Sequence, residues 1–389
     1  MYAVFNGMQQ ILLPSQVAAI DPDGRIGSYG LLATAGALIA AVANPLFGSM
    51  SDRTRSRFGR RTPWIVSSAS IALLGLVLMG GMTHLFWLGA AYVLVMLSMG
   101  AYQAVIAALM PDRVPESRRG LVSSIAGLAT TIGVIFGINA APAFVANPIA
   151  GYALLGTVLV TAAVTMSVLA PDPTISDGST AEPPATRRSL RTFFAGLADH
   201  EFAWAFWARV VIMAGFWTVS TYQLYTPTDF IGVDDIPGGD AGTGVAILGT
   251  INLGCGLVTT LISGPLSDRL GKRKLFVVVA SLGIAAGTLI PVFAPTWAGM
   301  VAYSIVVGTF FGAYLAVDQA IMTLVLPRSE DNARDLGLLN IATTAPQVAA
   351  PLVAGVIITI TGGYVALFVF AALAAVIGAF AITPIRRVN

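Results

Sequence analysis

Charged residues are scarce in this sequence. Only 10% of its 389 residues are Asp, Glu, Lys or Arg, whereas 56% are hydrophobic and the mean hydropathy is +0.81. Because a soluble globular domain carries about 25% charged residues, this composition excludes an ordinary soluble protein and predicts a chain embedded in lipid. The net charge of +2 gives no reason to expect binding to a polyanion, so no nucleic-acid partner is predicted.

Cysteine and histidine are nearly absent. The single Cys255 cannot form an intramolecular disulfide, and His84 and His200 are isolated on predicted opposite faces of the membrane. The sequence contains no metal-ligand spacing and no recognisable nucleophile–base arrangement. We therefore predict that the protein is not an enzyme and that it holds no metal or organic cofactor.

Long charge-free stretches divide the sequence into membrane spans, each of which needs about 20 apolar residues. One span is predicted to end near Ile20 and another to cover about 202–228. Single spans fit residues 26–51 and 241–267, and two spans each fit 62–111, 120–171, 275–317 continued past Asp318, and 336–385. The fold predicted is all-α, with twelve transmembrane helices. No basic segment precedes the first apolar stretch, so we interpret it as a retained span and not as a signal peptide.

The basic residues set the orientation, because Lys and Arg near helix ends are retained in the cytoplasm. With twelve spans, every basic residue except Arg25 and Arg209 falls on one face of the membrane. We therefore predict a multi-pass protein of the inner (plasma) membrane with both termini cytoplasmic. A monomer is expected.

The two halves of the sequence repeat each other. GSMSDRTRSRFGRRTPW from Gly48 to Trp64 returns in shortened form as GPLSDRLGKRKLF from Gly264, and GAYQAV from Gly100 returns as GAYLAV from Gly312. Repeats of half the chain length are typical of secondary transporters. They predict two pseudo-symmetric six-helix bundles, residues 1–170 and 201–389, joined by a Pro-, Ser- and Thr-rich cytoplasmic linker, residues 171–200. The alignment of LLPSQ with LYTPTD also predicts a shortened first helix.

Two charges fall inside predicted spans, Arg209 on the seventh and Asp318 on the tenth. At about 1.5 Å per residue, both lie about 10–13 Å from the predicted cytoplasmic ends. Intramembrane charges are costly enough to require a function or a partner, so we predict that they pair. Two interpretations stay open: Asp318 carries a coupling proton, or the pair permanently fixes the C-terminal bundle.

The repeated loop resembles the hallmark G-x-x-x-D-R-x-G-R-R loop of the major facilitator superfamily. The longer form from Ser51 to Pro63 is most similar to the branch of sucrose and other glycoside symporters and their bacterial relatives. The resemblance implies a central cavity that opens alternately to either side of the membrane for a small solute. Sodium-coupled relatives carry acidic residues on the second and fourth helices. The predicted spans 26–51 and about 86–110 carry none, so coupling depends on a proton at Asp318, or the protein is an uncoupled facilitator.

Each loop copy places a carboxylate where it can stabilise the positive N-terminus of a helix from the opposite half. We assign Asp52 to the eleventh helix, starting near Asp335, and Asp268 to the fifth, starting near Gly120, as contacts of the cytoplasm-closed state. The glycines are expected to permit close approach of the loop to neighbouring helices. The alternative is positive charge that only sets topology. The predicted gate residues are Gly48, Asp52, Arg53, Gly59, Arg60, Arg61, Gly264, Asp268 and Arg269.

The resemblance implies that the first, fourth, seventh and tenth helices line the cavity. Their polar and aromatic side chains are Asn6, Gln9, Gln10, Tyr102, Gln103, Trp217, Tyr222, Tyr225, Tyr314 and Gln319. Amides and hydroxyls without a fixed charge suit a neutral, sugar-like solute whose rings stack on aromatic faces. Each of these residues has a structural alternative, as an interface anchor or a bond between helices. The rival function is export of amphipathic compounds.

Overall fold

A computed structural model describes residues 1–56, 58–170, 172, 197–324 and 332–385. Every regular element in these ranges is helical. We call the first helical run α1; it consists of Tyr2–Gly7, a π-helical segment Met8–Leu12, and Leu13–Ile20. The N-terminal half continues with α2 (Arg25–Arg53), α3 (Thr62–Gly80), α4 (Leu85–Arg113), α5 (Glu116–Ala140) and α6 (Pro148–Leu169). The C-terminal half comprises α7 (His200–Thr221), α8 (Ala241–Leu270), α9 (Arg273–Phe293), α10 (Trp297–Leu324), α11 (Asn332–Thr361) and α12 (Val365–Ala381).

The predicted all-α membrane fold is confirmed. Within the described residues, ten of these helices are long and apolar enough to cross a membrane, and the two others are the segmented α1 and the 17-residue α12. Asn147 marks the predicted turn before α6, where its side chain accepts a hydrogen bond from the Ala150 N–H. The seventh helix differs from expectation, since it ends at Thr221 and the chain resumes as a π-helical turn, Pro227–Ile231. Pro227 lacks an N–H, which disfavours a continuous helix through this point.

Contacts between Cα atoms divide the chain into two compact units, Met1–Pro183 and Pro184–Asn389. In the first unit α2 packs on α4, α3 packs on α4 and α6, and α1 packs on α5. In the second unit α8 packs on α10, α9 packs on α10 and α12, and α7 packs on α11 and α12. The same helix pairs recur in both halves, as the sequence repeat predicts. Most of the predicted linker, residues 171 and 173–196, lies outside the described residues.

Close helix contacts fix the position of α10, which carries Asp318. A Cβ added to Gly308 would lie 2.4 Å from the Asn252 carbonyl oxygen of α8, and one added to Gly312 would lie 2.2 Å from that of Gly256. Only glycine permits such an approach of two backbones, which is the usual way that membrane helices gain contact area. The α8–α10 pair is therefore a rigid support for the groups on α10.

Candidate transport site and charge clusters

Arg209 of α7 and Asp318 of α10 form the predicted ion pair in the C-terminal half. Arg209 Nε lies 3.4 Å from Asp318 Oδ2, and the two side chains are 5% and 1% exposed. Within the described residues neither of these two atoms has a hydrogen-bond partner of normal geometry. Because burying two charges is costly unless hydrogen bonds satisfy them, this pair is under-satisfied. The structure confirms the pairing; the proton-coupling role stays a prediction.

Aromatic side chains with polar groups surround the ion pair. Tyr314 lies one helical turn from Asp318 on α10, and Trp217 lies two turns from Arg209 on α7. The Trp217 indole N–H is buried without a hydrogen-bond partner among the described residues, and the buried Tyr314 hydroxyl interacts with the Asp318 carboxyl. Phe311 stacks on Phe216 with ring centroids 3.7 Å apart. The centre of this half therefore combines apolar ring faces with an unused hydrogen-bond donor.

The other predicted substrate residues of this half differ from one another. The Tyr222 hydroxyl donates to the Pro351 carbonyl of α11 at 3.2 Å, so it already joins two helices. Tyr225 is buried, with its ring centroid 6.1 Å from that of Tyr222. Gln319 is exposed and makes no side-chain hydrogen bond within the described residues. Among these three residues, Gln319 keeps all its side-chain hydrogen-bond donors and acceptors available for a solute.

In the N-terminal half, three of the predicted substrate residues are amides of α1. Gln9 and Gln10 belong to the π-helical segment Met8–Leu12, a conformation that often occurs at functional sites. Gln10 Nε2 donates to Asn6 Oδ1 at 2.6 Å, and Asn6 Nδ2 donates to the Tyr2 carbonyl at 2.9 Å. Gln9 Nε2 donates to the Tyr92 hydroxyl at 3.3 Å. The structure thus brings these three predicted residues together on one helix.

Hydrogen-bond saturation separates structural amides from candidate binding amides. Gln16 donates to the carbonyls of Met79 and Met82 and accepts from the Tyr152 hydroxyl, so it serves packing at the end of α1. Gln103 of α4, in contrast, is half-buried and makes no side-chain hydrogen bond in the described part of the chain. Its neighbour Tyr102 is buried. Gln103 therefore keeps all its donors and acceptors available.

The gate motif of the N-terminal half is organised by Arg61. Arg61 NH2 lies 2.6 Å from Asp52 Oδ1 and 3.0 Å from Asp112 Oδ2, and its side chain is 5% exposed. The guanidinium also donates to the Ser51 hydroxyl, and Arg60 pairs with Asp112 at 2.8 Å. A planar guanidinium with five donors can bridge two carboxylates in this way. We call Arg60, Arg61, Asp52 and Asp112 the Arg61 cluster.

Asp172 caps the N-terminus of α3. Its Oδ2 accepts from the backbone N–H groups of Arg61 at 2.6 Å and Thr62 at 2.9 Å, and its Oδ1 pairs with the Arg113 guanidinium. Burial alone would raise the pKa of the Asp172 carboxyl. The hydrogen bonds from Thr62 and Arg61 and the pairing with Arg113 outweigh burial, so the pKa lies below its ordinary value of 3.8. Asp172 therefore acts as an ionised cap on the helix N-terminus.

The three predicted gate glycines do not behave alike. Gly59 has φ +91°, and a Cβ there would lie 1.9 Å from Asp172 Cβ, so glycine is required for both conformation and space. At Gly48 a Cβ would meet only Ala104 Cβ, at 3.7 Å, and at Gly264 it would meet nothing within 4 Å. Packing inside each half therefore does not demand glycine at Gly48 or Gly264.

The gate motif of the C-terminal half repeats the central contact. Arg273 donates to Asp268 Oδ1 from Nε at 2.9 Å and from NH2 at 2.6 Å. Arg273 occupies the position equivalent to Arg61, but it is 29% exposed and contacts a single carboxylate. Arg53 and Arg269, which the motif also includes, form no ion pair within the described residues. The predicted contacts of Asp52 and Asp268 with the opposite half stay predictions.

Four residues of these clusters were not among the predicted site residues: Asp112, Arg113, Asp172 and Arg273. Arg273 could have been found by aligning the second loop copy on Arg61. Asp112 and Arg113 lie in the LMPDRVPESRRG segment at the end of the fourth span, and the sequence does not indicate which residues they pair with. Asp172 is the second residue of the predicted linker, and its role depends on α6 ending beside the start of α3.

Two helical units with repeated packing, a duplicated loop and a buried ion pair between α7 and α10 are typical of a membrane transporter. The family model for the Major Facilitator Superfamily matches residues 1–253 and 239–389, which together span the chain. The chain therefore belongs to the Major Facilitator Superfamily. It is a multi-pass membrane transporter of a small molecule and not an enzyme, as predicted.

The solved structures that match include a bacterial homologue of the human lysosomal transporter Spinster, in an inward-facing and unoccupied conformation. The two chains are 12% identical over 99% of this chain and 94% of that chain, with a TM-score of 0.65. At this identity the similarity shows the fold alone. None of the curated proteins matches this sequence.

Proposed function

We propose that this transporter moves a small neutral, polyhydroxylated solute such as a sugar or glycoside by alternating access, with a proton as the coupling ion. One observation carries the proposal. The membrane-embedded stretches of α1, α4, α7 and α10 contain amides, phenols and indoles, and their only charges, Arg209 and Asp318, neutralise each other. A charged solute would need an unpaired counter-charge in this low-dielectric region.

The groups available to such a solute are those not already used in packing. Gln103 and Gln319 each offer donors and acceptors, the pattern that sugar hydroxyls require. The Trp217 indole N–H is buried and unpartnered among the described residues. Phe311 stacks on both Phe216 and Tyr314, so these rings form one apolar aromatic cluster.

Coupling would depend on the under-satisfied ion pair. When Asp318 is protonated, Arg209 loses its partner and its side chain is free to adopt another arrangement. A proton that binds one arrangement more tightly than the other shifts the population between them. The competing interpretation is a permanent pair that only fixes α7 against α10.

The gate residues hold the cytoplasmic side of the transporter closed in one of its two states. We infer that Asp52 and Asp268 stabilise the N-termini of α11 and α5 while the cytoplasmic side is closed. The ion pairs with Arg61 and Arg273 hold the two carboxylates near the ends of α2 and α8. On this proposal the protein is a monomer in the inner membrane with both termini cytoplasmic.

Transport in proteoliposomes tests both parts of the proposal. The wild-type protein is expected to exchange a radiolabelled disaccharide and to accumulate it under an inward proton gradient. Asp318→Asn is expected to keep exchange and lose accumulation, because the coupling proton has no carboxylate to bind. Preference for a lipophilic cation over every disaccharide would support the amphipathic exporter instead.

A paired variant separates coupling from folding. Asp318→Asn alone leaves the Arg209 charge buried without a partner, which destabilises the C-terminal half. The double variant Arg209→Gln, Asp318→Asn removes both charges and keeps the shape of the pair. Exchange without accumulation in the double variant supports coupling. Full accumulation in either variant removes Asp318 from the mechanism.

A further inference from the structure

An apolar cavity of about 320 Å³ lies between α8, α9 and α10, and neither Arg209 nor Asp318 lines it. Its walls include Ile262 and Leu266 of α8, Leu275 and Val279 of α9, and Phe310 of α10. Cavities above about 300 Å³ are large enough to hold a small ligand or part of a larger one. Nothing in the proposed transport mechanism uses this space.

The cavity opens at the surface of the C-terminal unit, near the loop between α8 and α9. Ile262, Leu275 and Val279 are all at least half exposed, and α8 and α9 both pack on α10 and little on each other. Leu266 lies one turn from the end of α8, and Leu275 lies in the first turn of α9. On the surface of a membrane helix this apolar groove meets lipid chains, not water.

The sequence repeat places an aromatic ring at the equivalent position of the N-terminal half. Phe47 occupies the position equivalent to Ser263, and its ring packs on Trp64 with centroids 5.8 Å apart. In the C-terminal half the ring is missing, because Ser263 stands in its place. The Ser263 hydroxyl is buried and has no hydrogen-bond partner in the described part of the chain, although Ser267 of the same helix bonds the Gly264 carbonyl.

Two cations lie at the loop end of the apolar cavity. Arg269 lies one turn beyond Leu266 on α8, and Lys272 lies in the loop immediately before the first residue of α9, three residues before Leu275. Both are exposed, and neither forms an ion pair within the described residues. Their neighbours are occupied, since Arg273 pairs with Asp268 and Lys274 donates to the carbonyls of Thr383 and Ile385.

We propose that this cavity binds one anionic phospholipid from the predicted cytoplasmic leaflet. One acyl chain fills the space between α8, α9 and α10, and the phosphate contacts Arg269 and Lys272. Ser263 lies about 9 Å below Arg269 along α8, so its hydroxyl meets the ester oxygens of the lipid. Basic pockets between transmembrane helices bind anionic headgroups in this manner.

A cavity-filling variant tests the site. Ser263→Phe places in α8 the ring that Phe47 supplies in the other half, whereas Leu261→Phe adds the same ring at an exposed position outside the cavity. Native mass spectrometry of the purified protein measures binding of phosphatidylglycerol and phosphatidylcholine. The wild-type protein and Leu261→Phe are expected to retain one phosphatidylglycerol in preference to phosphatidylcholine. Ser263→Phe is expected to bind it about tenfold more weakly or worse.

A second variant tests the headgroup contacts and leaves the packing between the helices unchanged. Arg269→Gln with Lys272→Gln is expected to lower the affinity for phosphatidylglycerol about tenfold and to leave phosphatidylcholine binding unchanged. This surface variant also provides the test if Ser263→Phe does not fold. The proposal is overturned if Ser263→Phe binds phosphatidylglycerol as tightly as Leu261→Phe, or if the double variant keeps the wild-type preference.

Discussion

Arg61 and Arg273 occupy equivalent positions of the two halves, and the structure predicts that their removal has unequal effects. Arg61 is 5% exposed and contacts both Asp52 and Asp112. Arg273 is 29% exposed and contacts only Asp268, which is itself 57% exposed. Arg61→Ala therefore leaves two carboxylates without their shared cation, whereas Arg273→Ala breaks one pair at the surface.

The difference in free energy follows from these exposures. Breaking a fully buried ion pair by removing one partner costs about 3–5 kcal/mol. Asp52 and Asp112 are 56% and 30% exposed, so water recovers part of that cost. We expect Arg61→Ala to destabilise the N-terminal half by about 2–3 kcal/mol. Arg273→Ala should cost about 0–1 kcal/mol, as exposed pairs do.

Thermal unfolding in one detergent, followed by fluorescence-detected gel filtration, measures the contrast. At about 2–4 °C per kcal/mol for a unit of this size, Arg61→Ala should lower the apparent Tm by about 5–10 °C. Arg273→Ala should lower it by about 3 °C or less. Arg61→Lys should fall between wild type and Arg61→Ala, because one ammonium cannot bridge two carboxylates as a guanidinium does. Equal shifts for the two alanine variants would refute the assignment of Arg61 as the organising residue.

Three further contrasts use matched positions. Gly59→Ala should destabilise the protein by about 2–4 kcal/mol, because the new Cβ would collide with Asp172. Gly271 also has a positive φ, +61°, but open space around it, so Gly271→Ala should cost about 1 kcal/mol. Similar losses of Tm in the two variants would contradict the clash with Asp172. Asp172 has a lowered pKa, so its ionised form stabilises the fold above about pH 4, and this contribution disappears as the pH falls through its folded value. The Tm difference between wild type and Asp172→Asn should therefore be larger at pH 7 than at pH 3, and a constant difference would exclude the ionised cap. Trp217→Phe removes one N–H and keeps a ring, so the half-saturating solute concentration should rise up to about tenfold. Tyr222→Phe, whose hydroxyl already bonds Pro351, should leave that concentration unchanged, and equal effects in the uptake assay would contradict the proposed site.

The membrane fold was predictable because a stretch of about 20 apolar residues is a strong signal along the sequence. The turns at His84 and Asn147 lie between the observed helices for the same reason. The pairing of Arg209 with Asp318 was predictable from depth alone, since a charge within the bilayer has few partners of opposite sign. In these cases the position of residues along the sequence was sufficient for the prediction.

The clusters near the water boundary were less predictable. Many charges lie at the ends of α2 and α4, so the sequence does not specify that Arg61 binds both Asp52 and Asp112. The cap by Asp172 requires the end of α6 to meet the start of α3, a contact between segments far apart in sequence. The π-helical segment at Gln9 and the early end of α7 at Thr221 depend on local backbone geometry that hydropathy does not record.

The repeat itself indicates where the two halves have different roles. Asp52 and Arg61 return as Asp268 and Arg273, so this contact belongs to machinery that both halves share. The position equivalent to Asp318 is Ile106, so the N-terminal half has no carboxylate there. An ion pair at this depth is expensive, and structure alone does not demand it, because the first half places an apolar residue at the same point of the same helix. The asymmetry therefore favours a role for Asp318 in transport over a purely structural one.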